Sequence, residues 1–512
     1  MAMKKSPKMK IGGLQPIRPP RAGTSACNNS PIYWKGCIIP PVLKPAMDHL
    51  PDPSVPEPEA TARIGTDRIS RLLLRFSIPA IAGMLVQALY NIVDRMFIGY
   101  GIGPQGIAGV TISFPLMMAT VSFSILVGVG ANTLYSIRMG EGRRQEAERI
   151  LGNAFGLLFF IPLAASLVAL CFLDPLLRLV GASEELLPHA RAYARIVLGA
   201  AALSTTGHGL SHFVRSDGHP FVSMAAMILG AVTNTILDPL FIFVFRWGMA
   251  GAAWATVISQ GLSFAWCFGF FLMPKEGTRL RRRNLRLDFR QIVWPLLAIG
   301  FAPFAMNLAN SLLNVILNRG LGRYGGDDAI AVMGILSAYM SIIFMPVFGL
   351  TQGAQPLMGY NFGARKYGRV RHLFWTCVIA ATILMTCGWG ISQLFPLPIV
   401  RLFVSADSRL IPLGVHALRV FTLAFPIIGF PIIGGHLFQA IGKPIQAGFL
   451  ALTRQVILFI PFLLIFPRFW GLNGIFAAAP ASDTLTFLIS IILVSHQLRL
   501  FQRLERETAE TG

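Results

Sequence analysis

The chain has 512 residues, 54% of them hydrophobic and only 13% charged, with a net charge of +21. A soluble chain of this length carries about a quarter charged residues, so the composition excludes an ordinary soluble enzyme and points to an all-α polytopic membrane protein. The basic excess sits in the N-terminal tail and in alternate loops, as membrane topology requires, so no nucleic-acid partner is expected.

In chain order, residues 1–66 are rich in Pro, Lys and Arg without apolar periodicity and read as a disordered basic tail. They hold no apolar core flanked by a cleavage site, so no secretory signal is expected. Met47 opens MDHLPDPSVPEPEA and reads as an alternative start, which would leave residues 1–46 out of the native protein. Apolar segments of bilayer length follow near 75–98, 107–135, 150–173, 190–213, 222–245 and 249–273. After a basic linker (274–290) come 291–318, 328–357, 372–395, 412–437, 446–467 and 472–496. Two six-helix lobes are thus expected, 67–273 and 291–498, with a short tail, 499–512. Lys and Arg in alternate loops divide roughly twenty to about eight, which predicts both termini in the cytoplasm.

The chain also repeats itself. AYARIV around Arg195 resembles ALRVF around Arg419, SDGHP ending at Pro220 resembles AIGKP ending at Pro444, and VGVGAN (127–132) resembles LTQGAQ (350–355), at offsets of 223 or 224. An even number of spans per half makes both halves enter the bilayer in one direction. They should be related by a pseudo-two-fold axis along the membrane normal, with a cleft between them, as in transporters.

Two spans carry acids. The first, FSIPAIAGMLVQALYNIVDRMFIG, bears Gln87, Tyr90, Asn91 and Asp94 as a polar stripe. The fifth carries Asn234 and Asp238 at i and i+4, on one helical face, with Pro239 directly after. A carboxylate near the middle of a span costs roughly 2.5–3.5 kcal/mol, which makes Asp94 and Asp238 functional candidates. Asp94 could instead pair with Arg95, and Asp238 could reach the headgroups. The repeat weighs against both, because it sets Asn318 and Phe462 opposite the two acids. Two such acids can pass a proton, or join amide and hydroxyl oxygens, with Thr256 on the sixth span, around a hard cation such as Na⁺.

Other signals are weaker. His208 and His212 lack the Glu of a zinc-hydrolase helix, and the cysteines show no CxxC spacing, so no metal site or disulfide framework is expected. Gly101–Gly106 fits GxGxxG but links two spans, and no Walker motif occurs. His208 is a candidate for the polar network. Met84, Met306, Phe304, Tyr339 and Phe344 are candidates for an adaptable drug surface, although ordinary membrane packing is the simpler account of them. Asp483, on the twelfth span, is a secondary acid, with helix capping or packing as its alternative role.

YNIVDRMFIG (90–99), RSDGHP (215–220), NTILDPLFIF (234–243), GMAGAAWATVISQ (248–260) and AIGKP (440–444) together resemble the multidrug and toxic compound extrusion (MATE) family, on the side of the bacterial MepA-type exporters. The resemblance runs from about Arg68 to Leu498. It implies export of organic cations and drugs driven by H⁺ or Na⁺, with no cofactor and no enzymatic step. It also implies a cation site of Asp94, Asn234 and Asp238, with Thr256 in the helix-six position. Some branches use acids on spans seven and ten; here Asn307, Asn310 and Asn314 stand on span seven and span ten has none. The reading is a monomeric antiporter of the bacterial inner membrane. The rivals are a lipid-linked oligosaccharide flippase, which should need a basic cleft where the intramembrane charges read as acidic, and a membrane-embedded enzyme, which lacks a second acid motif.

Overall fold

Backbone groups inside a bilayer must find partners within their own segment, so long apolar runs become helices. The computed structural model describes residues 59–273, 278–403 and 410–511, and among these no strand occurs. The first half comprises α1 (Glu59–Thr66), α2 (Ile69–Gly101), α3 (Pro104–Gly140), α4 (Arg144–Cys171), α5 (Leu173–Val180), α6 (Leu187–Gly199), α7 (Ala201–Ser216), α8 (Pro220–Pro239) and α9 (Gly248–Leu272). The second comprises α10 (Trp294–Gly363), α11 (Tyr367–Leu394), α12 (Pro396–Arg401), α13 (Leu410–Phe421), α14 (Phe425–Ala440), α15 (Pro444–Leu452), α16 (Ile460–Ile465) and α17 (Pro467–Thr511).

These helices make the twelve expected passages. α10 holds two helices that meet at Gly326, whose φ of 62° sends the chain back as an eighth pass. The fourth pass is α6 and α7, interrupted at Ala200; the tenth is α13 and α14, bent by 51°. α15 and α16 are joined through a π-helical segment, Thr453–Phe459, and form the eleventh.

One boundary needs correction. The structureless tail does not extend to 66: Glu59–Thr66 is helical and Ile64 is buried. Its C-terminal carbonyls are capped from across the molecule. Arg369 donates to Ile64 O (3.2 Å), Thr66 O (3.5 Å) and Asp67 O (2.7 Å), and Lys366 donates to Gly65 O (2.9 Å). No local periodicity announces a helix whose partners lie some 300 residues away. The expectations for residues 1–58, the Met47 start among them, and for 274–277 of the linker fall outside the described residues.

The repeat is visible in backbone geometry. Positive φ at Gly103, Gly142, Gly218 and Gly248 returns at Gly326, Arg365, Gly442 and Gly471, offsets of 223 or 224. The break at Ala200 returns at Ala424, the residue before α14. The halves meet symmetrically. Gly140 of α3 lies against the carbonyl of Tyr360, and Gly363 of α10 against that of Ile137. A Cβ at either glycine would stand 2.0 or 2.1 Å from that oxygen, so only glycine allows the crossing. Both contacts lie at the helix ends next to basic loops, so the two halves are closed together on that side.

Candidate functional site

On α8 the i, i+4 spacing stacks Asn234 above Asp238, and the Asn234 amide donates to Asp238 Oδ1 at 3.3 Å. Pro239 cannot donate to the helix ladder, and the chain passes into a π-helical turn, Leu240–Val244, directly after the acid. Asp94 of α2, 7% exposed, lies beside Asp238, which has no exposed surface. Arg95 is exposed and makes no ion pair with Asp94, so the simple edge pairing does not form. From α9, Thr256 donates its hydroxyl to its own helix at Ala252 O (3.0 Å), leaving its oxygen as an acceptor.

Three buried oxygens here accept from no neighbouring donor, Asp94 Oδ1, Asn234 Oδ1 and Asp238 Oδ2, and the two carboxyls lie within hydrogen-bond reach of each other, so that one proton could be shared between them. Leaving one such atom unpaired costs about 1–3 kcal/mol, more for a charged group. Two carboxylates side by side also repel strongly in a low dielectric. The donor set is all oxygen, which suits a proton or a hard monovalent cation. Among the described residues no cluster of three or more His, Cys, Asp or Glu could hold a metal.

The remaining expected residues separate into groups. Gln87, Tyr90, His208 and Met84 line one cavity, and Tyr90 stands next to the acids. Asn91 is not brought in: it is exposed, with its amide spent on Gln87 O at 2.8 Å. Asp483 lies in the other half, held by Arg454 Nε at 2.7 Å. Phe344 is buried, edge-on to Phe425, with the Arg454 guanidinium 5.7 Å from its ring centroid. Tyr339 does not face a cleft: its phenol is buried and donates to Gly388 O, which locks α10 to α11. Met306 and Phe304 stay partly exposed on α10, Phe304 packing on Phe123 at 5.6 Å.

Sequence reasoning missed three residues. Tyr193 of α6 is buried beside Thr256 and both acids. The repeat could have found it, since Ala417 stands opposite and the phenol, like the acids, belongs to the first half alone. Arg215 and Arg454 correct the view that the intramembrane charges are acidic. Arg454 lies within the eleventh pass, and Arg215, in the last turn of α7, is 4% exposed.

Outside the spans, Asp217 Oδ1 accepts from Tyr135 Oη (2.7 Å), Thr278 Oγ1 (2.8 Å) and Thr278 N (3.4 Å). Burial pushes its carboxyl above the usual range despite these donors.

The MatE family model matches residues 79–240 and 303–465, once in each half. The chain belongs to the MatE family. Among curated relatives, the multidrug export protein MepA of Staphylococcus aureus (strain NCTC 8325) is 26% identical over 445 residues, covering 86% of this chain and 96% of its own. Among solved structures, the MATE multidrug transporter DinF-BH, in complex with rhodamine 6G, is 35% identical with a TM-score of 0.79, covering 85% of this chain and 98% of its own. A MOP superfamily transporter from Pyrococcus furiosus, whose binding pocket is described as having reverse polarity, aligns with a TM-score of 0.82 at 22% identity, over 87% and 99%. This MatE chain is therefore a multi-pass membrane protein of a transporter family, in two six-helix halves.

Proposed function

We propose that the protein exports cationic and amphipathic organic compounds in exchange for H⁺ or Na⁺, by alternating access. It works as a monomer in the bacterial plasma membrane, with both termini and the basic loops inside. The observation that carries this reading is the trio of unpartnered oxygens on Asp94, Asn234 and Asp238. With only the Asn234 amide donating into the pair and neither carboxylate held in an ion pair, the site gains most from a bound cation. The cation enters from outside, shields the two carboxylates from each other, and repacks α2 against α8 around Pro239. Drug is released outward, and the cation leaves inward as the halves reverse. Coupling of this kind requires the cation to bind the two states with different affinity. The DinF-BH complex with rhodamine 6G supports an organic dye as substrate class, and the MepA relatives support export.

The test is ethidium efflux from cells lacking their main exporters, under imposed pH or Na⁺ gradients. Wild type should export, and the effective gradient names the ion. Asp94→Asn and Asp238→Asn should reach the membrane in normal amounts and lose at least about tenfold of the rate, ~1.4 kcal/mol in activation free energy. Export by both variants at the wild-type rate would remove these acids from the mechanism.

A further inference from the structure

A half-open cavity of about 270 Å³ lies largely in the first half, lined from α2, α7, α8 and α9 and by Met345 and Gln352 of α10. Gln87 and Tyr90 line it near the acids. Arg215 lines it eleven residues along α7 from Ser204, ~16 Å at helical rise, toward the basic-loop side.

An arginine in the last turn of a spanning helix ordinarily extends to the headgroups. Arg215 turns inward instead and is almost wholly buried. Its partners are neutral: Nη1 donates to Gln352 Oε1 at 2.9 Å and Nη2 to Ser223 Oγ at 3.3 Å. Among the described residues no carboxylate pairs with it. A buried guanidinium without an anion is costly, and such residues inside membranes mark substrate or ion paths. The repeat sets Gln439 opposite Arg215 in the same helix register, so the fold is built without the charge. Ser211, hydrogen-bonded to Ser223 Oγ at 2.7 Å, adds a hydroxyl beside the guanidinium, and His208 lines the wall.

We infer that the Arg215 end of this cavity is an anion subsite for amphipathic substrates that carry a carboxylate or phosphate in addition to an amine. The oxyanion displaces the Gln352 amide from Arg215 and forms the charge-assisted, two-pronged contact that a guanidinium favours. The amine lies toward Tyr90 and the acids. The inference deepens the exporter reading and rests on it for the word substrate; the subsite is read by binding alone.

The test uses rhodamine 6G, an ester, and its free acid, rhodamine 19, which differ only in the carboxylate. Binding of each to the purified full-length protein is followed by fluorescence anisotropy in wild type, Arg215→Gln and Arg215→Lys. Arg215→Gln, the residue already present at 439, should weaken the free acid by about tenfold and leave the ester within about twofold. Arg215→Lys should recover part of the loss. Excess inorganic phosphate should leave wild-type binding of the acid unchanged. Equal effects of Arg215→Gln on both dyes, or none on either, would overturn the inference, and displacement of the acid by phosphate would make this a free-anion site instead. Failure of the exporter reading would appear separately, as wild-type proteoliposomes that bind the dyes but move neither.

Discussion

Asp217 sits one residue beyond α7, buried, with three donors on Oδ1 and with Oδ2 free of hydrogen bonds but 3.9 Å from His219 Nδ1. Its folded pKa is raised, so between the ordinary carboxylate value and the raised one the folded protein holds more protons than the unfolded chain. Stability contributed by this group therefore falls as pH rises through that window. Thermal melting in detergent should drop more for wild type than for Asp217→Asn as the pH rises above the ordinary carboxylate range. Parallel slopes would contradict the assignment. Asp94, Asn234 and Asp238 were legible in the sequence because a polar group inside an apolar run stands out. Tyr193 was not, because tyrosine is unremarkable there and its partners come from other spans. Arg215 was passed over because its position, next to a loop, resembles that of any anchoring arginine.

The spans were nearly all readable, since bilayer thickness sets their length, whereas the interruption of the fourth at Ala200 was not. The other exception is α1, whose stability comes from Arg369 and Lys366 on its terminal carbonyls. In the sequence those two residues show only as loop charges that set topology. Arg369→Ala removes charge-assisted hydrogen bonds worth about 1.5 kcal/mol after allowance for exposure. Amide exchange at Ile64–Asp67 should then speed up by roughly tenfold, with the spans unaffected. Unchanged protection would mean that the burial of Ile64 alone holds the helix.

The two halves approach through paired glycines, and that approach defines the state of the whole molecule. Replacing Gly363 by Leu wedges α10 away from Ile137 of α3. Overpacking of this kind costs about 1–3 kcal/mol. The population closed on the basic-loop side should fall by about tenfold, read as a longer distance between spin labels on the loops after α3 and α10. An unchanged distance would show that the crossing is not the gate. Internal repetition let the two-fold arrangement be read from sequence, but not which side is closed, because that depends on contacts between halves rather than within them.

In the proposed cycle, a cation at Asp94 and Asp238 drives the exchange of the two states. The most direct measurement loads proteoliposomes with an imposed pH or Na⁺ gradient and asks whether adding rhodamine 6G dissipates it. Wild type should run the gradient down faster with dye than without, and Asp238→Asn should show no dye-dependent component. Dye uptake by wild type with neither gradient disturbed, or dye-driven dissipation by Asp238→Asn at the wild-type rate, would contradict coupling through this site.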